Sequence, residues 1–185
     1  MNLIGIQIHF GKVEEVLEGA CRPGHFSGVG VVVAKLLNIV SPNFAFFGQK
    51  DLQQVAIIRQ LVSALNFNCE VVVVPTIREA SGLAMSSRNL RLSLSEREVA
   101  LNLYLIMKEV SESILSGTDI DIALIEGKKE LANIEGIEIE YIELVDGFSM
   151  ESVAQLSGSQ EIYICGAALV GQVRIIDNLC VKEKN

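Results

Sequence analysis

Two short, continuously apolar segments constrain the fold of this chain more than any other feature. They are NFAFF at 43–47 and CEVVVV at 69–74, and the segment 51–65 between them has helical periodicity. Continuous apolar strands joined by a helix are typical of a parallel sheet that is covered on both faces. We therefore predict an α/β fold containing part of a Rossmann-like parallel sheet, with both segments as buried strands.

The other segments of the first half continue this alternation. LIGIQIHF at 3–10 is predicted to be a strand, and KVEEVLEG at 12–19 a short helix. Two longer helices follow, with apolar residues recurring at i, i+3, i+4 and i+7. The predicted inner faces consist of Val29, Val32, Val33, Leu36, Leu37 and Val40 in one helix and Leu52, Val55, Ile58, Leu61, Val62 and Leu65 in the other.

The second half has a different pattern, which predicts a small α+β unit. Ser95 and Glu98 form a capping-box pattern for a helix over 96–115, and Asp119 or Asp121 begins another that ends near 133. The inner face of the first helix is predicted to be Val99, Leu103, Ile106, Val110 and Ile114. A half-exposed strand at 136–146 and a hairpin turning at Gly171-Gln172 complete the unit. We expect two domains, 1–88 and 89–185.

Charge and composition exclude several classes of function. Residues 1–90 hold seven basic and six acidic side chains, whereas residues 91–185 hold eight basic and seventeen acidic ones. An acidic second half argues against nucleic acid as a partner, because phosphate neutralisation needs clustered Lys and Arg. The apolar run VGVVVAKLLNIV is broken by Lys35 and too short to span a membrane, and no signal-peptide pattern begins the sequence. We expect a cytoplasmic protein.

The four cysteines are far apart in the sequence. Cys21, Cys69, Cys165 and Cys180 form no CxxC pair, which argues against a metal site or a disulfide framework. We expect them to be reduced thiols in the core.

The segment GQKD, at the carboxyl end of NFAFF, is a candidate phosphate site. Ligands of open parallel sheets bind at this edge, where a helix N-terminus offers free N–H groups and Lys50 adds a mobile cation. Gly48 allows close backbone approach. A structural interpretation stays open, since Asp51 and Gln54 have the spacing of a capping box.

Two further loops are predicted to reach the same edge. TIREASGLAMSSRN follows the second strand and carries Arg78 and the polar run Ser86-Ser87-Arg88-Asn89, whose donors suit phosphate oxygens. The same run is also typical of a polar turn that caps a helix. CRPGHFSGV carries Arg22 and His25 on a Pro-Gly turn, where a lone histidine is more often a packed turn residue than a catalyst.

Three motifs in this order, RPGHFSGV, FFGQKDLQQ and GLAMSSRN, closely resemble those of the pantothenate synthetase (pantoate-beta-alanine ligase) family. The resemblance runs from about residue 3 to the C-terminus and includes LSLSER and VRIIDN. Family members also carry a preceding nucleotide-binding segment with an HxGH-type motif, and no HxGH occurs here. On this basis, we expect the chain to correspond to the last two thirds of such an enzyme and to be inactive or weakly active alone.

The resemblance implies roles for particular residues. The implied ATP contacts are Gly48, Gln49, Lys50, Asp51, Ile77, Met85, Ser86, Ser87 and Arg88, and Lys50, Ser86, Ser87 and Arg88 are the implied catalytic residues. Met85 to Arg88 match a mobile phosphate-binding loop similar to the KMSKS loop of class I aminoacyl-tRNA synthetases. The implied pantoate-binding residues are Gln54 and His25, with Val29, Val32 and Val33 as an apolar wall. Gln49 departs from the glutamate common in this motif.

The chemistry that the resemblance implies has two steps. Pantoate attacks the α-phosphorus of ATP to form pantoyl adenylate and pyrophosphate, and beta-alanine then displaces AMP to give pantothenate, a precursor of coenzyme A. Mg²⁺ is the implied cofactor, although no metal ligands are implied in this chain. We also expect a homodimer, because an uncovered strand edge favours self-association. The alternative is a non-catalytic nucleotide-binding or accessory fragment.

Overall fold

The computed structural model describes residues 5–156, 158 and 161–183. It divides into two compact units. The N-terminal unit comprises residues up to Val74 together with Phe148–Glu151, and the C-terminal unit comprises Pro75–Gly147 and the residues from Ser152 onward. The domain boundary predicted after residue 88 falls inside the second unit and stays a prediction.

The N-terminal unit contains three α-helices and a parallel pair of strands among its described residues. The elements are a 3₁₀ turn Gly11–Glu14, α1 Leu17–Cys21, α2 His25–Val40, β1 Phe44–Gly48, a 3₁₀ turn Gln49–Asp51, α3 Leu52–Ala64 and β2 Glu70–Val74. Strands β1 and β2 pair in parallel, with Phe44 opposite Glu70 and Gly48 opposite Val74. The predicted β-α-β order and the α/β class are therefore confirmed.

The strand predicted at 3–10 is wrong for residues 5–10, which are irregular, while residues 3 and 4 lie outside the described part. The alternation of Ile8 and Phe10 has a different cause. A Cβ built on Gly30 would lie 2.7 Å from the Phe10 ring and 3.6 Å from Ile8 Cδ1, so both side chains pack on α2. In addition, the Ile8 N–H donates to Ser27 Oγ at 3.1 Å.

Burial in this unit is narrower than the apolar pattern predicts. Helix α2 buries Phe26, Gly30 and Leu37, whereas Val32, Leu36 and Val40, predicted to be buried, are exposed. Helix α3 buries Leu52, Val55, Ile58 and Leu61 as predicted, but Val62 is only half-buried and Leu65 is exposed.

The parallel strands also depart from the prediction of a sheet covered on both faces. Phe44 and Phe46 are 54% and 67% exposed, and β1 alternates in burial along its length. Helix α3 packs on the strand pair. The continuous apolar sequence therefore does not correspond to burial on both faces within the described residues.

The C-terminal unit packs two helices on an antiparallel sheet. Its elements are a 3₁₀ helix Ser87–Arg91, α4 Leu94–Leu115, α5 Ile120–Ala132, β3 Ile137–Asp146, β4 Ile162–Val170 and β5 Val173–Lys182, and the sheet order is β3-β4-β5. The two-residue turn at Gly171 has a φ of 56°, which primed hairpin turns require. The predicted strand, hairpin and helices are confirmed, with Asp119 as the N-cap of α5.

One continuous core holds this unit together. Leu103, Ile106, Val110 and Ile114 of α4 are buried as predicted, and Val99 packs against the same core while half-buried. A Cβ on Gly166 of β4 would lie 2.7 Å from Met107 Sδ and 2.9 Å from Leu103 Cδ1. The absent side chain thus lets α4 approach the sheet closely.

The capping box of α4 lies two residues earlier than predicted. Ser93 Oγ accepts the Glu96 N–H at 3.2 Å, and Glu96 Oε2 accepts the Ser93 N–H at 2.8 Å. The sequence contains the S-x-x-E pattern twice in overlapping registers, and Ser95 lies inside the helix. Hydrogen bonding of the Glu96 carboxylate by the Ser93 backbone N–H, and to a smaller extent by the Ser93 side chain, lowers the pKa of Glu96 below its ordinary value of 4.5.

The cysteines are free, but the expectation that they lie in the core holds only for Cys165. Cys21 and Cys180 are exposed and Cys69 is intermediate. Strand-like sequence around Cys180 did not imply burial, because residues within one strand differ in exposure: Asn178 and Val181 of β5 are buried, whereas Cys180 between them is exposed. Across the part of the chain that the structure describes, no helix is both long enough and apolar enough to cross a membrane.

Candidate functional site

The predicted site residues fall in both compact units, and the N-terminal unit carries the GQKD segment. Because Gly48 pairs with Val74, β1 and β2 end side by side and form one sheet edge. The chain then passes through the 3₁₀ turn Gln49–Asp51 directly into α3. Gly48 has an ordinary extended conformation, and a Cβ built on it would meet no atom within 4 Å. Neither backbone strain nor packing among the described residues therefore requires glycine here.

The capping-box interpretation of Asp51 and Gln54 is wrong. Asp51 occupies the N-cap position of α3, but its side chain makes no capping hydrogen bond. Its φ of −97° and ψ of 53° differ from the extended conformation that an N-cap residue typically adopts. The acid and amide of this segment therefore have no structural role as a cap.

The glutamine preceding Gln54 has a structural role that the sequence reasoning missed. Gln53 is 5% exposed, and its Nε2 donates to the carbonyls of Val13 and Val16 at 2.7 and 2.8 Å. Its Oε1 accepts the Glu18 N–H at 2.9 Å. Gln53 thus ties the segment 13–18 to the first turn of α3, whereas Gln54 is only half-buried. The sequence signal for this structural role was a polar residue within an otherwise apolar face of the predicted helix.

The Pro-Gly turn places Arg22 beside His25. Arg22 Nη1 lies 3.0 Å from His25 Nε2, and the guanidinium can only donate, so Nε2 is the acceptor. This contact selects the neutral imidazole tautomer with its proton on Nδ1. His25 begins α2 and its ring lies 5.1 Å from that of Phe26, centroid to centroid. In its local structure, His25 is a turn residue packed against Phe26.

The predicted apolar wall lies along α2. Val29 and Val33 are half-buried and Val32 is 57% exposed. An open groove of about 720 Å³ runs between residues 6–20 and α2, and among its lining residues are Val32, Ser27 and Lys35. Its lining includes neither His25, Val29, Val33 nor Gln54. Of the residues predicted to bind pantoate, the groove lining therefore includes Val32 alone.

The C-terminal unit carries the second group of predicted residues on a narrow hairpin. The Met85 N–H donates to the Ile77 carbonyl at 2.9 Å, the Glu79 N–H donates to the Leu83 carbonyl at 2.8 Å, and Arg78 bridges Ala84. Ile77 and Met85, both predicted ATP contacts, thus lie opposite each other. Their side chains are 66% and 55% exposed.

The polar run after this hairpin forms a short helix. Ser86 Oγ accepts the Arg88 N–H at 3.2 Å and caps the 3₁₀ helix Ser87–Arg91. The interpretation of this run as a helix-capping turn is therefore correct for Ser86. Its hydroxyl hydrogen can still be donated to a ligand. Ser87 and Arg88 are exposed.

Arg78 does not join these exposed residues, contrary to the prediction that it crowds the same rim. Its guanidinium pairs with Asp177 through two hydrogen bonds of 2.6 and 3.0 Å and lies 4.0 Å from the Tyr104 ring centroid. The pair is largely buried. The sequence signal for this pair was Asp177, because an acid within the apolar strand VRIID is expected to be buried and buried charges are normally paired.

Among the described residues, no cluster of three or more His, Cys, Asp or Glu side chains could hold a metal ion. Among the predicted residues, Lys50 of the N-terminal unit and Ser86, Ser87 and Arg88 of the C-terminal unit are hydrogen-bond donors that suit anionic oxygens rather than cations.

Comparison with known proteins identifies the family. The pantoate-beta-alanine ligase family model matches residues 2–180. Pantothenate synthetase from Cytophaga hutchinsonii is 47% identical over 180 residues, which cover 95% of this chain and 62% of the relative. Pantoate--beta-alanine ligase from Schizosaccharomyces pombe is 43% identical over 169 residues, covering 91% of this chain and 59% of that protein.

Solved structures agree with this match. Pantothenate synthetase from Thermus thermophilus is 37% identical, with a TM-score of 0.87 over 95% of this chain and 63% of that one. Pantoate-beta-alanine ligase from Francisella tularensis, solved in complex with beta-gamma ATP and beta-alanine, is 34% identical with a TM-score of 0.67 over 97% of this chain and 59% of that one. This chain belongs to the pantoate-beta-alanine ligase family and spans about 62% of the length of the first relative.

Proposed function

We propose that this chain carries the pantoate- and ATP-binding part of a ligase that joins pantoate to beta-alanine through a pantoyl-adenylate intermediate. The observation that carries the proposal is the family match over residues 2–180. The geometry of GQKD supports it. Gly48 is required neither by conformation nor by packing among the described residues, and Asp51 does not cap α3, so both residues are compatible with a role in ligand binding.

In the first step, a carboxylate oxygen of pantoate attacks the α-phosphorus of ATP, and the bond to the bridging oxygen of pyrophosphate breaks. Lys50, Ser86, Ser87 and Arg88 stabilise the negative charge that grows on the phosphate oxygens. Gln54 holds pantoate by hydrogen bonds, and His25, Val29, Val32 and Val33 line its pocket. Gly48, Gln49, Asp51, Ile77 and Met85 contact ATP. These assignments rest on motif matches.

In the second step, the amine of beta-alanine attacks the acyl carbon of the adenylate, loses a proton, and displaces AMP. The donors that stabilised the phosphates in the first step then stabilise the leaving AMP. Mg²⁺ would arrive bound to ATP, since this ion prefers phosphate oxygens and water and needs few carboxylates from a protein. When bound, it would offset charge on the phosphates.

The test has two parts, because the chain spans only part of its relatives' length. Pantoate-dependent exchange between ATP and pyrophosphate reports adenylation, and AMP release on adding beta-alanine reports ligation. Both are measured on the 185-residue chain and on a chimera joined to the remaining segment of the Cytophaga relative. The expected result is both activities in the chimera; their absence from a folded chimera would refute the proposal.

The alternative, a nucleotide-binding fragment without catalysis, predicts ATP binding with neither activity in the chimera.

Homodimerisation is also part of the proposal. Val32, Leu36, Phe44 and Phe46 are exposed apolar side chains in the N-terminal unit, and such surface favours association. Sedimentation equilibrium would detect it, and a monomer at all concentrations would contradict it.

A further inference from the structure

Residues Met85 to Arg88, here called the 85–88 loop, are exposed except for the half-buried Ser86, and buried groups hold the loop at both ends. Leu83 and Ala84 precede the loop and are 6% and 4% exposed, and Asn89 follows it at 4%. Loops with so few apolar contacts of their own are typically mobile. The buried groups on either side are therefore what can restrict this loop.

The first anchor is Arg78, which holds the hairpin that leads into the loop. Besides its two bonds to Asp177, its guanidinium donates to the carbonyls of Gly82 and Asn178 at 3.1 and 3.3 Å. Tyr104 stacks on the same guanidinium at 4.0 Å. A Cβ on Gly82, which has a φ of 107°, would lie 2.9 Å from Tyr104. One planar cation thus joins the hairpin turn, β5 and α4.

The second anchor is Asn89, which follows the loop. Asn89 Nδ2 donates to Glu79 Oε1 and to the Ala84 carbonyl, each at 3.0 Å. Arg97 of α4 in turn donates to the Asn89 carbonyl at 3.0 Å. Through Glu79 and Ala84, this anchor connects the far end of the loop to the hairpin that Arg78 holds.

We propose that Arg78, fixed by Asp177 and Tyr104, is a positioning residue that orders the 85–88 loop for nucleotide binding without touching the nucleotide. The proposal rests on the proposed function, which assigns ATP contacts to this loop. Donors stabilise developing charge most when they are already in place, so disorder in the loop would weaken ATP binding and adenylation. Pantoate, assigned to residues of α2 and α3, would be bound as before.

The test compares Arg78→Lys with a matched control, Arg174→Lys. Arg174 pairs with Glu140 through two nitrogens: Nε lies 2.9 Å from Oε1 and Nη2 lies 2.7 Å from Oε2. Its side chain is 18% exposed, the same as that of Arg78. Lysine keeps the charge but cannot reproduce the planar fork in either pair. Because Arg174 on β5 pairs with Glu140 on β3, it controls for loss of an ion pair within the sheet.

Three quantities are measured: hydrogen exchange of the Met85 and Gly82 amides on the 185-residue chain, and ATP affinity and pantoate affinity on the chimera. We expect Arg78→Lys to accelerate hydrogen exchange at both amides roughly 10-fold, because the hairpin can then open without unfolding of the rest of the unit. ATP binding should weaken by a similar factor, roughly 10-fold. Pantoate affinity should stay unchanged. Arg174→Lys should change none of the three.

Two further variants keep the test decisive if Arg78→Lys does not fold. Tyr104→Leu removes only the stacking and should shift exchange and ATP affinity in the same direction by a smaller factor. Asp177→Asn removes the charge of the partner and should by itself shift exchange and ATP affinity in the same direction. If Arg78→Lys does fold, the two effects should not add, because both changes break one pair.

Unchanged exchange, or faster exchange with unchanged ATP affinity, would overturn the positioning role. Equal effects from Arg174→Lys would also overturn it. Failure of the proposed function is distinguishable, because it appears in the unsubstituted chimera as an absence of adenylation and ligation. Failure of the inference alone leaves those activities intact and appears only in the variants.

Discussion

Helices α2 and α4 belong to different units and have similar apolar periodicity, yet they differ in how much of their apolar face is buried. Helix α4 buries a stripe from Ala100 to Ile114 against α5 and the sheet. Helix α2 buries Phe26, Gly30 and Leu37, while Leu36 beside them is 53% exposed. Periodicity therefore identified the helix in both cases. It predicted the buried residues only where the described chain supplies a matching surface.

Truncating one leucine in each helix tests this comparison and has the largest expected effect. Leu103 is 1% exposed and contacts β4, so Leu103→Ala should lower the free energy of unfolding by roughly 2–5 kcal/mol. Leu36→Ala should change it by less than about 0.5 kcal/mol, because the side chain is already in solvent. Urea denaturation measures both, at a protein concentration low enough for sedimentation to show a monomer. Equal losses would show that the exposed face of α2 is covered in solution.

Arg88→Ala sharpens the comparison within the C-terminal unit, between its core and its exposed loop. Arg88 is exposed and outside the core, so the melting temperature should stay unchanged. If Arg88 stabilises the charge that develops on phosphate, kcat for adenylation should fall roughly 100- to 1,000-fold in the active chimera. A raised KM for pantoate at unchanged kcat would instead assign Arg88 to ground-state binding.

The adjacent glutamines provide a matched pair within the N-terminal unit. Gln53→Glu removes two donors and places a carboxylate against two carbonyls, which should cost roughly 1–3 kcal/mol of stability. Gln54→Glu should leave the melting temperature unchanged or raise it, since an acid in the first turn favours the helix.

Substrate kinetics then separate the role of Gln54 from that of a surface residue. A carboxylate facing the pantoate carboxylate should raise KM for pantoate and leave KM for ATP nearly unchanged. An unaltered pantoate KM in Gln54→Glu would remove Gln54 from the substrate site. A large loss of stability in Gln54→Glu would contradict the structural distinction between the two glutamines.

Glu96→Gln has the smallest expected effect and tests the capping box that begins α4. The pKa of Glu96 is lowered in the folded protein, so its carboxylate stabilises the fold at neutral pH. That stabilisation is lost as the pH falls below 4.5 and through the folded-state pKa. The melting temperature of the variant should therefore lie slightly below that of the parent at neutral pH, and the difference should vanish in acid. A difference independent of pH would exclude the charge as its cause.

Apart from the strand predicted at 3–10, the sequence alone determined the order of elements in both units, because helix and strand periods, caps and turn glycines are local properties of the chain. The predicted helix formed as Leu52–Ala64, and the predicted hairpin formed as Ile162–Val170 and Val173–Lys182. The family and the candidate phosphate residues also followed from sequence, since GQKD and SSRN are contiguous motifs whose residue types carry their chemistry.

The tertiary structure decided which side chains are free to act and which are structural. Gln53 and Gln54 are neighbours with the same side chain, and only the hydrogen bonds from Gln53 to the carbonyls of Val13 and Val16 distinguish their roles. Arg78 and Arg88 lie in the same segment between β2 and α4. Arg78 is an anchor only because it pairs with Asp177, 99 positions away. These assignments depend on contacts between distant segments. Local sequence contains no record of such contacts, because a hydrogen-bond partner is chosen by three-dimensional proximity rather than by position along the chain.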